Sequence, residues 1–300
     1  MAAGLVLLAA LLIWVDSDAL LAQFTNLRPG LLTAAAACIV VATLLGSYNA
    51  YLVVAIDTPV PFARFLSFYW FSWALGLVVP GQVGDVASLT YLMKRTGLDW
   101  TKIIGRALLD KLISFAIMIV LAGVALLRFS ANLSVEKGTF LSAAAIVVAV
   151  AIVAVLVAIA LFTKTKRGNE IRARFLEGAI DVMTFARAHP GLVAINLLGT
   201  TIKILMIGTA YWYVFMAGGA TNPPWLDIVL LVTVSSLVAY IPVSFNGLGT
   251  VEITGILLFS LLGLGEELVL SSYLVLRATV MLIAWMPSLL ILAWSGKEHR

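Results

Sequence analysis

Long stretches of this chain carry no alternation of polar and apolar positions. Leu31 to Ile56, Ile103 to Leu127, Thr139 to Phe162, Leu192 to Ala217 and Leu268 to Trp294 are long enough, at 1.5 Å per residue, to cross a hydrocarbon core of roughly 30 Å. They predict transmembrane helices. Shorter apolar runs lie among them, cut by proline and glycine. Phe62 to Val79 and Val86 to Met93 flank Pro80 to Asp85, and Trp225 to Tyr240 and Thr250 to Leu264 flank the stretch that holds Pro242, Ser244, Asn246, Gly247 and Gly249. Half-helices of this kind are tolerated at membrane depth only where the loop between them is buried in protein or lines a wet cavity. The two breaks are therefore the expected working parts, with Pro80, Gly81, Gly84, Pro242, Gly247 and Gly249 permitting the bends.

The remaining segments are less apolar. Ala2 to Val15 is short for a span unless it continues past Asp16 and Asp18 to Ala22, and no Lys or Arg precedes Arg28. The basic segment of a signal peptide is missing, so a retained first helix is expected. Asp16-Ser17-Asp18 resembles the metal motif of nucleotide-sugar transferases, but no βαβ pattern surrounds it and a charged helix end is the plainer reading. Phe65, Phe68, Tyr69, Trp70, Phe71 and Trp73 crowd the first broken pair; such rings mark a membrane interface or line a lipid-facing groove. Lys164 to Arg187 is solvated and basic, and Ile171, Phe175, Ala179, Val182 and Ala186 recur within it at helical spacing. An amphipathic helix on the membrane surface is expected there, stopped by His189-Pro190-Gly191.

Composition removes the soluble classes. Of 300 residues, 62% are hydrophobic and 11% charged, with mean hydropathy +1.09, against about half apolar and a quarter charged in soluble domains. Unalternating apolar runs exclude a β-barrel, so the expected fold is an all-α polytopic transmembrane bundle. Net charge is +4, but the basic residues sit mainly beside spans and report topology, not a nucleic-acid surface. Cys38 stands alone, so no disulfide framework exists within one chain. His189 and His299 are far apart and no phosphate-binding glycine loop appears; no catalytic residue, cofactor or metal site is expected.

The basic loop Lys164 to Arg187, the Lys94, Arg95 and Lys102 stretch, and the tail Lys297 to Arg300 are expected on the cytoplasmic side. Ile103 to Leu127 then runs outward, Thr139 to Phe162 inward, Leu192 to Ala217 outward and Leu268 to Trp294 inward. The spans that follow the two breaks carry Arg106 and Arg277 and run in opposite senses, the mark of an inverted repeat. One transmembrane domain over residues 1–300 is expected, with a first repeat over about 62–127, the amphipathic segment over about 163–191, and a second repeat over about 225–294.

Seven ionisable residues fall in or against apolar segments: Asp85, Arg106, Asp110, Lys111, Lys203, Glu252 and Arg277. Each costs about 2.5 to 3.5 kcal/mol at a helix centre, so they must pair, reach water or bind something. Four are positive and three negative, and the excess suits an anionic phosphate, helped by N–H groups at the half-helix starts Val86 and Thr250. Plainer readings stand beside this one. Arg106 can snorkel or pair with Asp110 four residues on, Asp110 and Lys111 can balance local charge, and Ser244 and Asn246 can satisfy loop backbone. Lys203 and Arg277 lie deeper and are expected to serve a site or to pair with Glu252 or Asp85.

With these residues in place the chain resembles the transmembrane family named for lysylphosphatidylglycerol synthases, also described as flippase-like. The resemblance rests on Val79-Pro80-Gly81-Gln82-Val83-Gly84-Asp85 with Arg106-Ala107-Leu108-Leu109-Asp110-Lys111, and on Ile241-Pro242-Val243-Ser244, Gly247-Leu248-Gly249-Thr250-Val251-Glu252 and Leu276-Arg277-Ala278. It implies lipid translocation, or membrane support for modification of lipids and polyprenyl-linked glycans. Relatives tend to read Gly-Gly-Glu with an arginine three residues on, whereas Asp85 and Ser88 stand here. The aminoacyl-transferring soluble domain of the synthases is not expected after Arg300.

The expected function is flipping of an anionic phospholipid or polyprenyl-phosphate-linked lipid across a bacterial-type inner membrane. Glu252, Arg277, Lys203 and Arg106 would line a central groove, with Asp85, Asp110, Ser244 and Asn246 as further binding residues. The alternative is a partner subunit that presents a lipid to a separate modifying enzyme, and a third class is an enzyme acting on lipid phosphate. The expected partners are a membrane lipid, such an enzyme and a second copy of the chain, with no nucleic acid.

Overall fold

Prolines open several of the apolar runs, as their fixed φ and missing N–H favour at a first helical turn. Pro29 and Pro190 begin two of the long helices, and Pro61 and Pro224 precede two shorter ones. The computed structural model describes residues 17–55, 58, 60–78, 84–94, 100–129, 180–240 and 247–295. Among these the regular elements are all helical: α1 (Ser17–Thr25), α2 (Pro29–Val54), α3 (Phe62–Gly76), α4 (Gly84–Lys94), α5 (Trp100–Phe129), α6 (Pro190–Ala217), α7 (Trp225–Leu237), α8 (Thr250–Phe259) and α9 (Glu266–Ser295). Residues 180–188 are also helical.

Among the described residues four helices are long and apolar enough to cross a membrane: Pro29–Val54, Lys102–Phe129, Pro190–Ala217 and Glu266–Ser288. They coincide with four of the expected spans. The expected span Thr139 to Phe162 lies outside the described residues. Large aliphatic side chains on these helices point outward, with Leu112, Val120, Leu127, Leu198, Leu282 and Met286 61–78% exposed. Water would penalise such faces; lipid does not.

α2 and α6 lie antiparallel. Arg28 N–H donates to the Ala217 carbonyl at one end, and Asn49 meets Asn196 at the other. Small residues let the helices approach closely: a Cβ on Gly199 would stand 2.4 Å from Asn49 Oδ1, and one on Gly208 2.9 Å from Val229 Cα of α7. α5 runs in the same sense as α6, since Asp110 meets Asn196 near their starts and Phe129 joins Phe215 near their ends. α9 begins beside the end of α6, where Val269 and Leu270 join that cluster, and runs back. These relative directions agree with the reading from loop charge.

The shorter helices form two antiparallel pairs, each member about 15–22 Å long at 1.5 Å per residue and too short to span. In the first, Phe65 of α3 packs with Leu89 and Met93 of α4 beside Val54 and Ile103, at the end of α2 and the start of α5. In the second, Ile228 of α7 and Phe259 of α8 pack beside Phe215 at the end of α6, while Ala239 and Val251 lie at the turn. The two pairs thus enter the bundle from opposite ends.

The break points need correction. α3 stops at Gly76, earlier than the expected Val79, and Gly84 and Asp85 belong to the first turn of α4 instead of the loop before it. Pro80, Gly81, Pro242, Ser244, Asn246 and the Asp85 side chain lie outside what is described.

Trp70 and Pro287 tie the first pair to α9. Pro287 sits inside α9 and cannot donate to Ile283, four residues earlier; the Trp70 indole N–H donates to that carbonyl at 3.1 Å instead. Trp70 and Trp73 pack edge to face at 5.8 Å against α9, and Tyr69 faces inward.

Candidate functional site

The turn after α7 brings the first element of the site into place. A short 3₁₀ turn, Val238–Tyr240, ends α7, and Tyr240 packs edge-on against Phe115 of α5 at 5.7 Å. Gly247 and Gly249 then hold φ of +71° and +82°, a region that a side chain disfavours, and lead into α8. Glu252, three residues past the Gly249 cap, turns back so that its Oε2 accepts the Gly249 N–H at 2.7 Å. This is the carboxylate half of a capping box, reinforced by the helix dipole.

Glu252 is fully buried. Its Oε1 accepts Arg277 Nε at 2.9 Å and Arg277 Nη2 at 2.6 Å. A carboxylate this deep is stable only with its charge matched and its oxygens bonded, and α9 supplies both. The pairing expected for Arg277 is thus made with Glu252. At the start of α8 the Gly249 N–H is taken by Glu252 itself.

Arg277 keeps one side on a cavity of about 320 Å³ inside the bundle. Lys203 of α6 and Lys111 of α5 share its wall, and Lys203 Nζ donates to Ser114 Oγ at 3.2 Å. Among the described side chains the wall carries no carboxylate. It carries hydroxyls of Thr43, Ser114, Thr233 and Ser236, and rings of Tyr69, Trp73, Tyr211, Tyr240 and Tyr273. Both helix pairs reach it: Trp73, Gly76 and Leu77 from the first, Ala239, Tyr240 and Val251 from the second.

Two expected site residues face elsewhere. Arg106 is buried away from the cavity, donating from Nε to Asp181 Oδ2 at 3.3 Å with its guanidinium 4.6 Å from the Phe185 ring centre. It therefore docks the helix 180–188 onto α5. Of the expected amphipathic segment, residues 163–179 lie outside the described residues; in the described part Phe185 is in the protein core, while Ile180 and Met183 are exposed. Asp110 accepts Asn196 Nδ2 at 2.9 Å, and the same amide also donates to the Asn49 carbonyl at 3.2 Å. Asn49 Nδ2 in turn donates to Thr200 Oγ1 at 3.2 Å, closing a buried network among α2, α5 and α6. Asp110 edges only a small neighbouring cavity of about 20 Å³.

Helical phase explains the division. Arg106 and Asp110 share one face of α5; Lys111, Ser114 and Met118, at spacings of three and four, share the face on the cavity. Lys111 was assignable from that spacing, although its charge alone suggested only local balance. Asn49 and Asn196 carried no such signal, because a neutral amide barely disturbs hydropathy. The Arg128 and Asp227 pair joining the end of α5 to the start of α7 was likewise unmarked.

Together the fold and cavity define a class: a multi-pass α-helical membrane protein enclosing a cationic pocket within its bundle. Within that class the chain belongs to the lysylphosphatidylglycerol synthase TM region family, which matches residues 1–290. Membership makes it an integral membrane protein related to lipid modification or transport. No curated protein matches the chain.

Proposed function

We propose that the chain carries the headgroup of an anionic lipid, a phospholipid or a polyprenyl-phosphate-linked lipid, through the cavity between the two short-helix pairs. The observation that carries this reading is the convergence of Lys111, Lys203 and Arg277, from three spans, on one cavity that both pairs reach. A phosphate there meets cations without the screening of bulk water. The two pairs serve as re-entrant hairpins dipping from opposite membrane faces, the arrangement of an inverted repeat with a site near the midplane. The basic loops face the cytoplasm, and the membrane is a bacterial-type inner membrane.

The test is flipping of fluorescent phosphatidylglycerol in proteoliposomes. The wild-type chain is expected to exceed empty vesicles, and Arg277→Ala to abolish the excess. Folded wild-type protein that moves lipid no faster than empty vesicles removes the translocation reading. Retention of phosphatidylglycerol without movement favours a subunit that presents lipid to a separate enzyme.

A further inference from the structure

The Lys203 stem, on its way from α6 into the cavity, crosses α2 at a glycine. Gly46 is buried on α2, one turn beyond Ala42 and Thr43 of the cavity wall. A Cβ built on it would stand 3.2 Å from Lys203 Cδ and 3.0 Å from the Tyr69 hydroxyl of α3. Both distances are shorter than ordinary van der Waals contact, so the lack of a side chain is what admits the two neighbours. Past Gly46 the stem continues to α5, where Lys203 Nζ donates to Ser114 Oγ at 3.2 Å. Four helices thus place one ammonium group: α6 supplies it, α2 lies under its stem, α3 closes on it with Tyr69, and α5 receives it.

The two neighbours of Gly46 differ in how far they yield. The Tyr69 ring stacks on Phe65, a fully buried side chain, at 6.3 Å and is held by α3. The lysine stem is flexible and turns about single bonds. A methyl group at position 46 therefore displaces the stem more than the ring. A shift of a few tenths of an ångström suffices, because the Lys203 to Ser114 contact already stands at the long end of the usual N–H···O range. The Tyr69 hydroxyl decides whether the stem must move that far. Behind it the next ring atom, Cζ, is 3.9 Å from the built Cβ, an ordinary contact. With the hydroxyl gone, methyl and stem share the space it leaves.

We infer that Gly46 is a positioning residue, which together with Tyr69 of the first short pair sets where the Lys203 ammonium stands in the cavity. Its consequence for lipid rests on the headgroup reading of that cavity; the placement of the ammonium does not.

Reductive methylation reads the ammonium in the absence of added lipid. The full chain, purified in detergent, is treated with formaldehyde and a borane reductant, and methylation of Lys203 is followed by mass spectrometry with Lys111 as the internal reference. Gly46→Ala is expected to raise the ratio of Lys203 to Lys111 labelling about five-fold, the equivalent of losing one ordinary hydrogen bond. In the Tyr69→Phe background the same substitution is expected to change the ratio less than two-fold. An unchanged ratio in folded Gly46→Ala protein, or an equal change in the two backgrounds, overturns the inference. Should Gly46→Ala not fold, adding Lys203→Ala, which removes Cδ, is expected to restore folding, and failure to restore it overturns the inference too. In proteoliposomes Gly46→Ala is expected to slow phosphatidylglycerol movement at least five-fold; movement at the wild-type rate beside a raised ratio overturns the positioning role. A raised ratio in a chain whose wild type moves no lipid upholds the placement of the ammonium and removes the transport reading.

Discussion

Removing Arg277 should damage the protein more than neutralising Glu252, although the two form one ion pair. The asymmetry follows from their surroundings: the Glu252 side chain is 0% exposed, whereas that of Arg277 is 16% exposed on the cavity wall. Arg277→Met leaves a fully buried carboxylate whose one remaining described donor is the Gly249 N–H, a loss of about 3–5 kcal/mol. Glu252→Gln keeps one acceptor oxygen, for the guanidinium, and sets an amide NH2 against the Gly249 N–H, but it leaves no buried charge unmatched and Arg277 beside a polar space, so about 2 kcal/mol is expected. The double variant removes both charges and should recover at least about 1 kcal/mol relative to Arg277→Met alone, because no buried charge is left unmatched. Reversible unfolding by SDS in mixed micelles measures all three. Equal losses in the single variants, or losses that simply add in the double variant, would refute the reasoning.

Three further predictions address other parts of the bundle. Trp70→Phe strands the Ile283 carbonyl and should cost about 1–2 kcal/mol, shrinking to a few tenths when Pro287→Ala restores an N–H within α9; an undiminished loss in the Pro287→Ala background contradicts that assignment. Gly249→Ala forces a side chain to φ of +82° and should cost about 1–3 kcal/mol in the same unfolding assay, whereas an unchanged stability would deny the tight entry into α8. Arg106→Gln should raise hydrogen exchange in residues 180–188 while lipid movement stays within two-fold of wild type; Lys111→Gln and Lys203→Gln should slow movement at least ten-fold. The reverse pattern would return Arg106 to the site.

Much of the fold was legible because lipid imposes coarse rules. A span needs about 20 apolar residues, so the four long helices stood out by length, and proline with glycine marked both breaks. The Glu252 and Arg277 pairing was foreseeable in kind, since isolated charges at membrane depth are costly. What the chain concealed was direction around each helix. Arg106 and Lys111 look alike as charges five positions apart, yet one clamps a neighbouring helix and the other faces the cavity. Contacts between neutral groups distant in sequence were harder still: Asn49 with Asn196, and Trp70 with the carbonyl freed by Pro287, complement each other only once packing has set the helices side by side.

The central claim is that an anionic headgroup occupies the cavity, and photo-crosslinking in a bilayer tests it most directly. A phosphatidylglycerol bearing a diazirine beside its phosphate is irradiated with the reconstituted chain, and the labelled peptides are sequenced by mass spectrometry. Labelling at Lys203, Ser236 and the start of the Arg277 turn, lost in Arg277→Ala, is the predicted result. Labelling confined to outward positions such as Leu198 and Leu282 would contradict the account.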